Sequence, residues 1–368
     1  RLFEAAGPRL QVVLGRQPVI RLLTGSVKGK ERTHTYAAAA SGDLDVIVGT
    51  QALIQDRLEF ARLGLVIVDE QHRFGVRQRV TLRRRAGDGI AVPHLLVMTA
   101  TPIPRTLHLS LFGDLDLSTI DEMPPGRKFP VTKLLGPDER DHAYERVRRA
   151  AARGEQAFVI CPLVEESEAL EAKAATEEYE RLRTGELASL KLALLHGRMR
   201  PADKDTVMRA FRDHEFDVLV STAVVEVGVD VPNATVMLIE GAERFGLAQL
   251  HQFRGRVGRG GQAAVCILLT DLPDPDANDR LRVVAETNDG LALAEQDLRL
   301  RGPGDYFGVR QSGLPQLKVA RLDDAPLIEN ARSAASAVLS QDPELAQPEH
   351  AALRAHLLDF AAQSGDPS

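Results

Sequence analysis

The chain has only two cysteines in 368 residues, Cys161 and Cys266, and each lies inside an apolar, strand-like run. That usage offers neither a disulfide framework nor a zinc site, and it suits buried thiols in a reducing cytosol. Ten histidines are scattered without metal-ligand spacing. No apolar stretch approaches the ~20 residues needed to span a bilayer, and no signal peptide opens the chain, so a cytoplasmic protein without membrane contact is expected. A basic surplus is missing too: the net charge is -6, unlike that of a dedicated nucleic-acid module. The most consequential absence is the phosphate loop, Gly-x-x-x-x-Gly-Lys-Ser/Thr. The nearest run, Gly25-Ser26-Val27-Lys28-Gly29-Lys30-Glu31, is one residue short and ends in a carboxylate. Its backbone cannot wrap phosphates, and it lacks the hydroxyl that would complete a magnesium shell. The chain also starts at Arg1 rather than Met. It is therefore expected to be the C-terminal part of a longer protein.

What is present points to a soluble, multidomain α/β protein. The length exceeds one ordinary core, and 44% hydrophobic with 27% charged residues is a globular composition. Strand and helix signals alternate from the start: strands at 19–23, 46–48, 65–68 and 94–98, and a helix at 31–40. Polar strand ends and helices between strands predict a parallel, helix-covered sheet. Met123-Pro124-Pro125-Gly126-Arg127 is a turn-rich break. The pattern then restarts, with helices at 138–153, 166–183 and 201–212 and strands at 157–161, 191–195, 218–220, 236–239 and 264–269. A Pro- and Asp-rich segment at 272–279 closes this part. Helices at 279–286 and 291–300, a glycine-rich loop at 301–313 and Ala-rich helices at 325–340 and 349–363 follow. The division expected is 1–128, 129–275 and 276–368.

Chemistry concentrates at strand ends. Leu65-Val66-Ile67-Val68 stops at Asp69-Glu70-Gln71-His72, placing two adjacent carboxylates where open α/β sheets bind ligands. In nucleotide-hydrolysing motors the first holds the Mg²⁺ shell and the second polarises the attacking water. Taken alone, the tetrad reads equally well as a strand entering an acidic turn. Thr99-Ala100-Thr101-Pro102 ends the next strand and would stand beside it. Gln252-Phe253-Arg254-Gly255-Arg256-Val257-Gly258-Arg259 is the strongest signal, because planar guanidinium forks among glycines can approach a γ-phosphate closely. Its phosphate site would then lie at a domain interface that nucleotide binding closes. Ser221-Thr222 and Glu226–Asp230 follow a strand and offer hydroxyls, amides and a carboxylate to sugar-phosphate oxygens. The arginines at 77, 79, 83, 84 and 85 read as a solvated helix face.

In this order the segments resemble motifs II, III, V and VI of superfamily 2 helicases and translocases. Three longer runs, 69–76 (DEQHRFGV), 98–107 (MTATPIPRTL) and 114–127 (DLDLSTIDEMPPGR), narrow the likeness to the RecG family of branched-DNA helicases. The related transcription-repair coupling factors usually carry Glu at the position of Gln71 and lack the last run. Residues 297–313 (DLRLRGPGDYFGVRQSG) resemble a translocation motif that both families share.

The resemblance implies two RecA-like parallel-sheet motor domains, the first N-terminally truncated, plus a small, mainly helical C-terminal region. It implies ATP and Mg²⁺ as cofactors, with Asp69 on the metal, Glu70 as general base, and Arg256 and Arg259 on the γ-phosphate. Gln71, His72, Asp230 and Gln252 would position the nucleotide and the arginines. Thr50, Thr99, Thr101 and Thr222 would grip the DNA backbone, and Arg301, Gly302 and Gln311 would couple domain closure to duplex movement. Branched duplex DNA and single-stranded DNA at forks are the implied partners, with single-stranded-DNA-binding protein a further one, for a monomeric enzyme. The phosphate loop and a wedge domain would lie upstream of Arg1, so this chain alone is expected not to hydrolyse ATP at a useful rate. Two alternatives stay open: a coupling-factor-type translocase and a non-enzymatic DNA-binding remnant.

Overall fold

The computed structural model describes residues 2–25, 27–54, 58–69, 93–99, 116–120, 122, 126, 128–162, 168–226, 231–306 and 325–364. These fall into two compact units, 1–100 and 101–368.

In the first unit, α1 (Leu2–Leu14) precedes β1 (Ile20–Leu23), α2 (Gly29–Ser41) and β2 (Val46–Gly49). β3 (Leu65–Val68) and β4 (His94–Val97) follow. β1 pairs in parallel with β2, and β3 with β4, as two separate sheets. Both pairings are parallel, as expected for this part, and among the described residues they are not joined into one sheet. Alternation explains the small core. Leu23, Ala39, Ala52 and Leu58 are buried together, whereas Leu22, Val48, Leu65, Ile67 and Leu96 point out from the opposite faces.

The second unit is built on six parallel strands in the order β5-β10-β9-β6-β8-β7. They are β5 (Val131–Leu135), β6 (Gln156–Ile160), β7 (Leu192–Leu195), β8 (Val218–Ser221), β9 (Ala234–Ile239) and β10 (Val265–Leu269). Every residue of β6, β8, β9 and β10 is buried, as near-continuous Val/Ile/Leu runs require when helices cover both faces. The period of two sorts them. Phe158, Ile160, Leu219, Met237, Ile239, Cys266 and Leu268 face α5 (Pro201–Arg212), α6 (Leu247–Arg254), α7 (Asp279–Glu286) and α8 (Gly290–Tyr306). Val159, Val218, Val220, Val236, Leu238 and Ile267 face α3 (Arg140–Ala152) and α4 (Glu168–Thr184). The result is a doubly wound α/β layer. α9 (Ala325–Gln341) and α10 (Ala351–Ser364) form the helical tail. Among the described residues, no helix is long and apolar enough to cross a membrane.

A polar cluster ties the helical layer to the end of β9. Arg140 Nη1 donates to Glu240 Oε2 (2.6 Å), the Tyr144 hydroxyl donates to the other carboxylate oxygen, and Arg181 Nη2 donates to that hydroxyl (2.6 Å). The loop expected at 301–313 also needs correcting. α8 continues through Tyr306, so the helix formers of 290–300 carry over Gly302-Pro303-Gly304; the remainder of that segment lies outside the described residues.

Candidate nucleotide and nucleic-acid site

Asp69 follows β3 directly. Val68, 3% exposed, anchors the strand end, and Asp69 emerges exposed at its carboxyl edge. Val68 pairs with Val97, and the Met98 amide donates to the Val68 carbonyl (2.8 Å). That register brings Asp69 and Thr99 to adjacent ends of one sheet, both exposed. Thr50 occupies the same position after β2, its amide donating to the Leu23 carbonyl (3.3 Å). Gly49 is obligatory there, because a Cβ would come 2.1 Å from that carbonyl oxygen. Glu70, Gln71, His72 and Thr101 lie outside the described residues, as does the arginine cluster at 77–85.

In the second unit the arginine segment is set by a helix that buries one face and a turn that only glycine makes cheaply. Leu247, Leu250 and Phe253 of α6 are fully buried, and Phe253 meets Phe245 edge-on with ring centroids 5.5 Å apart. Gln252, next to Phe253, is left half-buried. α6 ends at Gly255, where the Arg256 amide donates to the Phe253 carbonyl (2.9 Å). Val257 is buried, and Gly258, at φ 75°, donates its amide to the Ala234 carbonyl (3.1 Å). Arg256 and Arg259 flank this pinned turn, both half-buried, with Arg259 Nε donating to the Gly255 carbonyl (3.2 Å). Arg254 differs from them. It is 2% exposed and directed into the protein, so the three arginines are not one phosphate-facing set.

A third constellation sits where β7 and β8 end together. Leu195 pairs with Ser221, and the Thr222 amide donates to the Leu195 carbonyl (3.2 Å). Thr222 is 3% exposed, yet among the described residues its hydroxyl has no hydrogen-bond partner. His196, on the neighbouring strand end, likewise has a buried Nδ1 without a partner. Lys204 Nζ donates to the Gly197 carbonyl (2.6 Å) from the first turn of α5. Burial, then Lys204 and Arg198, holds the His196 imidazole below its ordinary pKa. A buried hydroxyl, a ring nitrogen and two cations around one strand edge suit an anionic oxygen. Sequence reasoning singled out Thr222 but missed His196, whose only signal was the His-Gly pair ending a strand.

Asp230 and Gln311 lie outside the described residues. Arg301 falls within α8, where the backbone alone is described. Cys161 and Cys266 are free and buried; burial pushes the Cys266 thiol up to about 12 and Cys161 higher still, so neither is reactive. Among the described residues no three metal-ligating side chains cluster. Asp69 itself offers a hard carboxylate oxygen of the kind that Mg²⁺ takes when it is held by one or two carboxylates and several waters.

Three family models match the chain in succession: DEAD/DEAH box helicase over 9–109, helicase conserved C-terminal domain over 139–261, and domain 3, C-terminal, of the ATP-dependent DNA helicase RecG over 287–364. With the parallel α/β fold, the first two matches define the class, proteins that carry the paired RecA-like domains found in helicases. Similarity narrows this further. The chain is 50% identical over 327 residues to the ATP-dependent DNA helicase RecG of Synechocystis, covering 89% of this chain and 39% of that protein. To RecG of Bacillus subtilis it is 48% identical over 348 residues, covering 94% of this chain and 50% of that one. A solved structure of RecG bound to a three-way DNA junction superposes with a TM-score of 0.65 at 45% identity, covering 88% of this chain and 41% of the other. The chain belongs to the RecG family. It spans half or less of the length of these curated relatives.

Proposed function

We propose that this chain is the motor portion of an ATP-dependent DNA helicase that remodels branched DNA, namely stalled forks and four-way junctions, in recombination and repair. The observation that carries the reading is the likeness to RecG over nine-tenths of the chain, including a RecG structure bound to a three-way junction. The match of 287–364 to the RecG-specific domain favours it over a coupling-factor translocase. The proposed division is 1–128 and 129–275 as the two motor domains, and 276–368 as the translocation region.

In this reading ATP supplies the free energy, and Asp69 holds its Mg²⁺. Glu70 takes the proton from the attacking water, while Arg256 and Arg259 stabilise charge spreading over the γ-phosphate oxygens. Gln71, His72, Asp230 and Gln252 orient these groups. Thr50, Thr99, Thr101, Thr222 and His196 hold phosphates of the DNA backbone, which gives weak sequence preference and strong salt dependence. Arg301 and Gln311 pass domain motion to the duplex. Its partners are forked duplex and single-stranded DNA, with single-stranded-DNA-binding protein, for a monomer acting in the cytoplasm.

The 368 residues contain no phosphate-loop motif. The chain by itself is expected to show no magnesium-dependent ATP turnover, with or without branched DNA. The full-length protein is expected to show DNA-stimulated turnover, and its absence there would refute the reading. Robust turnover by the chain alone would refute the part assigned to the missing loop.

A further inference from the structure

Arg254 takes no part in the phosphate chemistry proposed above, and its surroundings point to another task. From α6 its Nη1 donates to the Val284 carbonyl (2.7 Å) and the Thr287 carbonyl (2.8 Å). Val284 lies in the last turn of α7, where helix carbonyls lack intrahelical donors and a cation is favoured. Nη2 lies 2.9 Å from His251 Nδ1, one turn back on α6. A guanidinium only donates, so this imidazole nitrogen accepts, and His251 is the neutral tautomer protonated at Nε2. Burial, then Arg254, lowers the His251 pKa to about 4, which agrees with that assignment.

The carbonyls that Arg254 grips belong to the last turn of α7 and to Thr287, which caps it. Thr287 Oγ1 accepts the Asp289 amide (3.3 Å), and Asp289 Oδ1 accepts the amides of Leu291 (2.8 Å) and Ala292 (3.3 Å), capping α8. α8 then runs to Tyr306 and carries Arg301. A buried guanidinium is a costly way to fill space, and an apolar side chain of similar volume would fill it more cheaply. What the arginine adds is direction: it fixes α6 to the end of α7 and to Thr287, the first residue of the turn that leads into α8.

We propose that Arg254, seated on His251, is a positioning residue that makes the arginine segment and the α7–α8 pair move as one body, so that displacement of Arg256 and Arg259 during nucleotide turnover reaches Arg301. This rests on the helicase reading above. The residue governs how much duplex moves per ATP rather than how fast ATP is cleaved.

The test uses the full-length protein with Arg254→Met and Arg254→Lys, measuring ATP turnover and strand displacement on a three-way junction. Arg254→Met is expected to keep KM for ATP and kcat within about threefold while strand displacement per ATP falls at least tenfold, with Arg254→Lys between it and the parent. A merely structural role would lower both activities together and leave their ratio alone, and that result overturns the proposal. Hydrogen exchange gives a readout independent of activity: amides of 287–293 are expected to exchange faster in Arg254→Met while those of β6 do not change. Unchanged exchange at 287–293 also overturns it. A parent protein without DNA-stimulated turnover would instead refute the helicase reading and the coupling with it, leaving the exchange result to decide the tie between helices.

Discussion

Thr222→Val exchanges a hydroxyl for a methyl group at an enclosed position, and the structure assigns its two consequences opposite signs. In the free protein Thr222 is 3% exposed and its hydroxyl has no partner among the described residues. Leaving such a group unsatisfied costs about 1–3 kcal/mol, so valine, similar in shape, should raise the unfolding free energy by about 1 kcal/mol or more. Substitutions at buried sites ordinarily do the reverse. In the DNA complex the same hydroxyl would donate to a phosphate oxygen, and a hydrogen bond to a charged group is worth about 1.5–3 kcal/mol. Its loss should weaken binding about ten- to hundredfold, at about 1.4 kcal/mol per decade. Threonine is neutral and releases no counterion, so the dependence of affinity on salt should not change. Lys204→Gln removes a charge and should lower the salt slope by about 0.7–0.9. Urea unfolding gives the first quantity. Fluorescence anisotropy with a labelled three-way junction at about 50 and 200 mM salt gives the second and third. A less stable Thr222→Val would mean that the hydroxyl is paired in the fold. Affinity within twofold of the parent would mean that no phosphate reaches it. Either result refutes the reasoning.

Two further expectations concern the arginine segment. Gly258→Ala places a Cβ on a residue at φ 75° and 3.0 Å from Ala264 Cβ. The left-handed backbone alone costs about 1–2 kcal/mol, so thermal unfolding should shift down by several degrees; an unchanged midpoint would show that the turn relaxes freely. Burial holds the His251 pKa in the folded chain at about 4, below the ordinary imidazole value of about 6.5, so the unfolded chain binds the extra proton between those values. Stability should therefore be lost as pH falls from about 6.5 toward 4, and His251→Gln should flatten that part of the profile. An imidazole resonance for His251 titrating near 6.5 by NMR would contradict the half-buried, neutral ring.

How much of this could be read in advance follows from which forces are local. Continuous apolar runs such as Val218–Val220 announce strands buried on both faces, Leu65–Val68 announces a strand although Leu65 and Ile67 are exposed, and the helices Pro201–Arg212 and Asp279–Glu286 are legible to the residue. β5 was not. It is an edge strand with a half-exposed Val-Thr-Lys pattern that gains its identity only by pairing with β10. The first unit misled for a related reason. Its strand signals are genuine, but burial of Leu22, Ile67 or Leu96 is not a property the strand itself contains. At the site, motif spacing pointed to Arg256, Arg259 and Thr222. It treated Arg254 as a third member of the same basic cluster, because charge and sequence proximity cannot say which way a side chain turns. The deciding fact is the placement of Val284 and Thr287, some thirty residues downstream, whose carbonyls supply a buried partner that no local pattern records. A residue between an arginine-rich segment and a helix end can serve either one. In this fold the helix end has claimed it, so removing its charge should alter coupling before it alters catalysis.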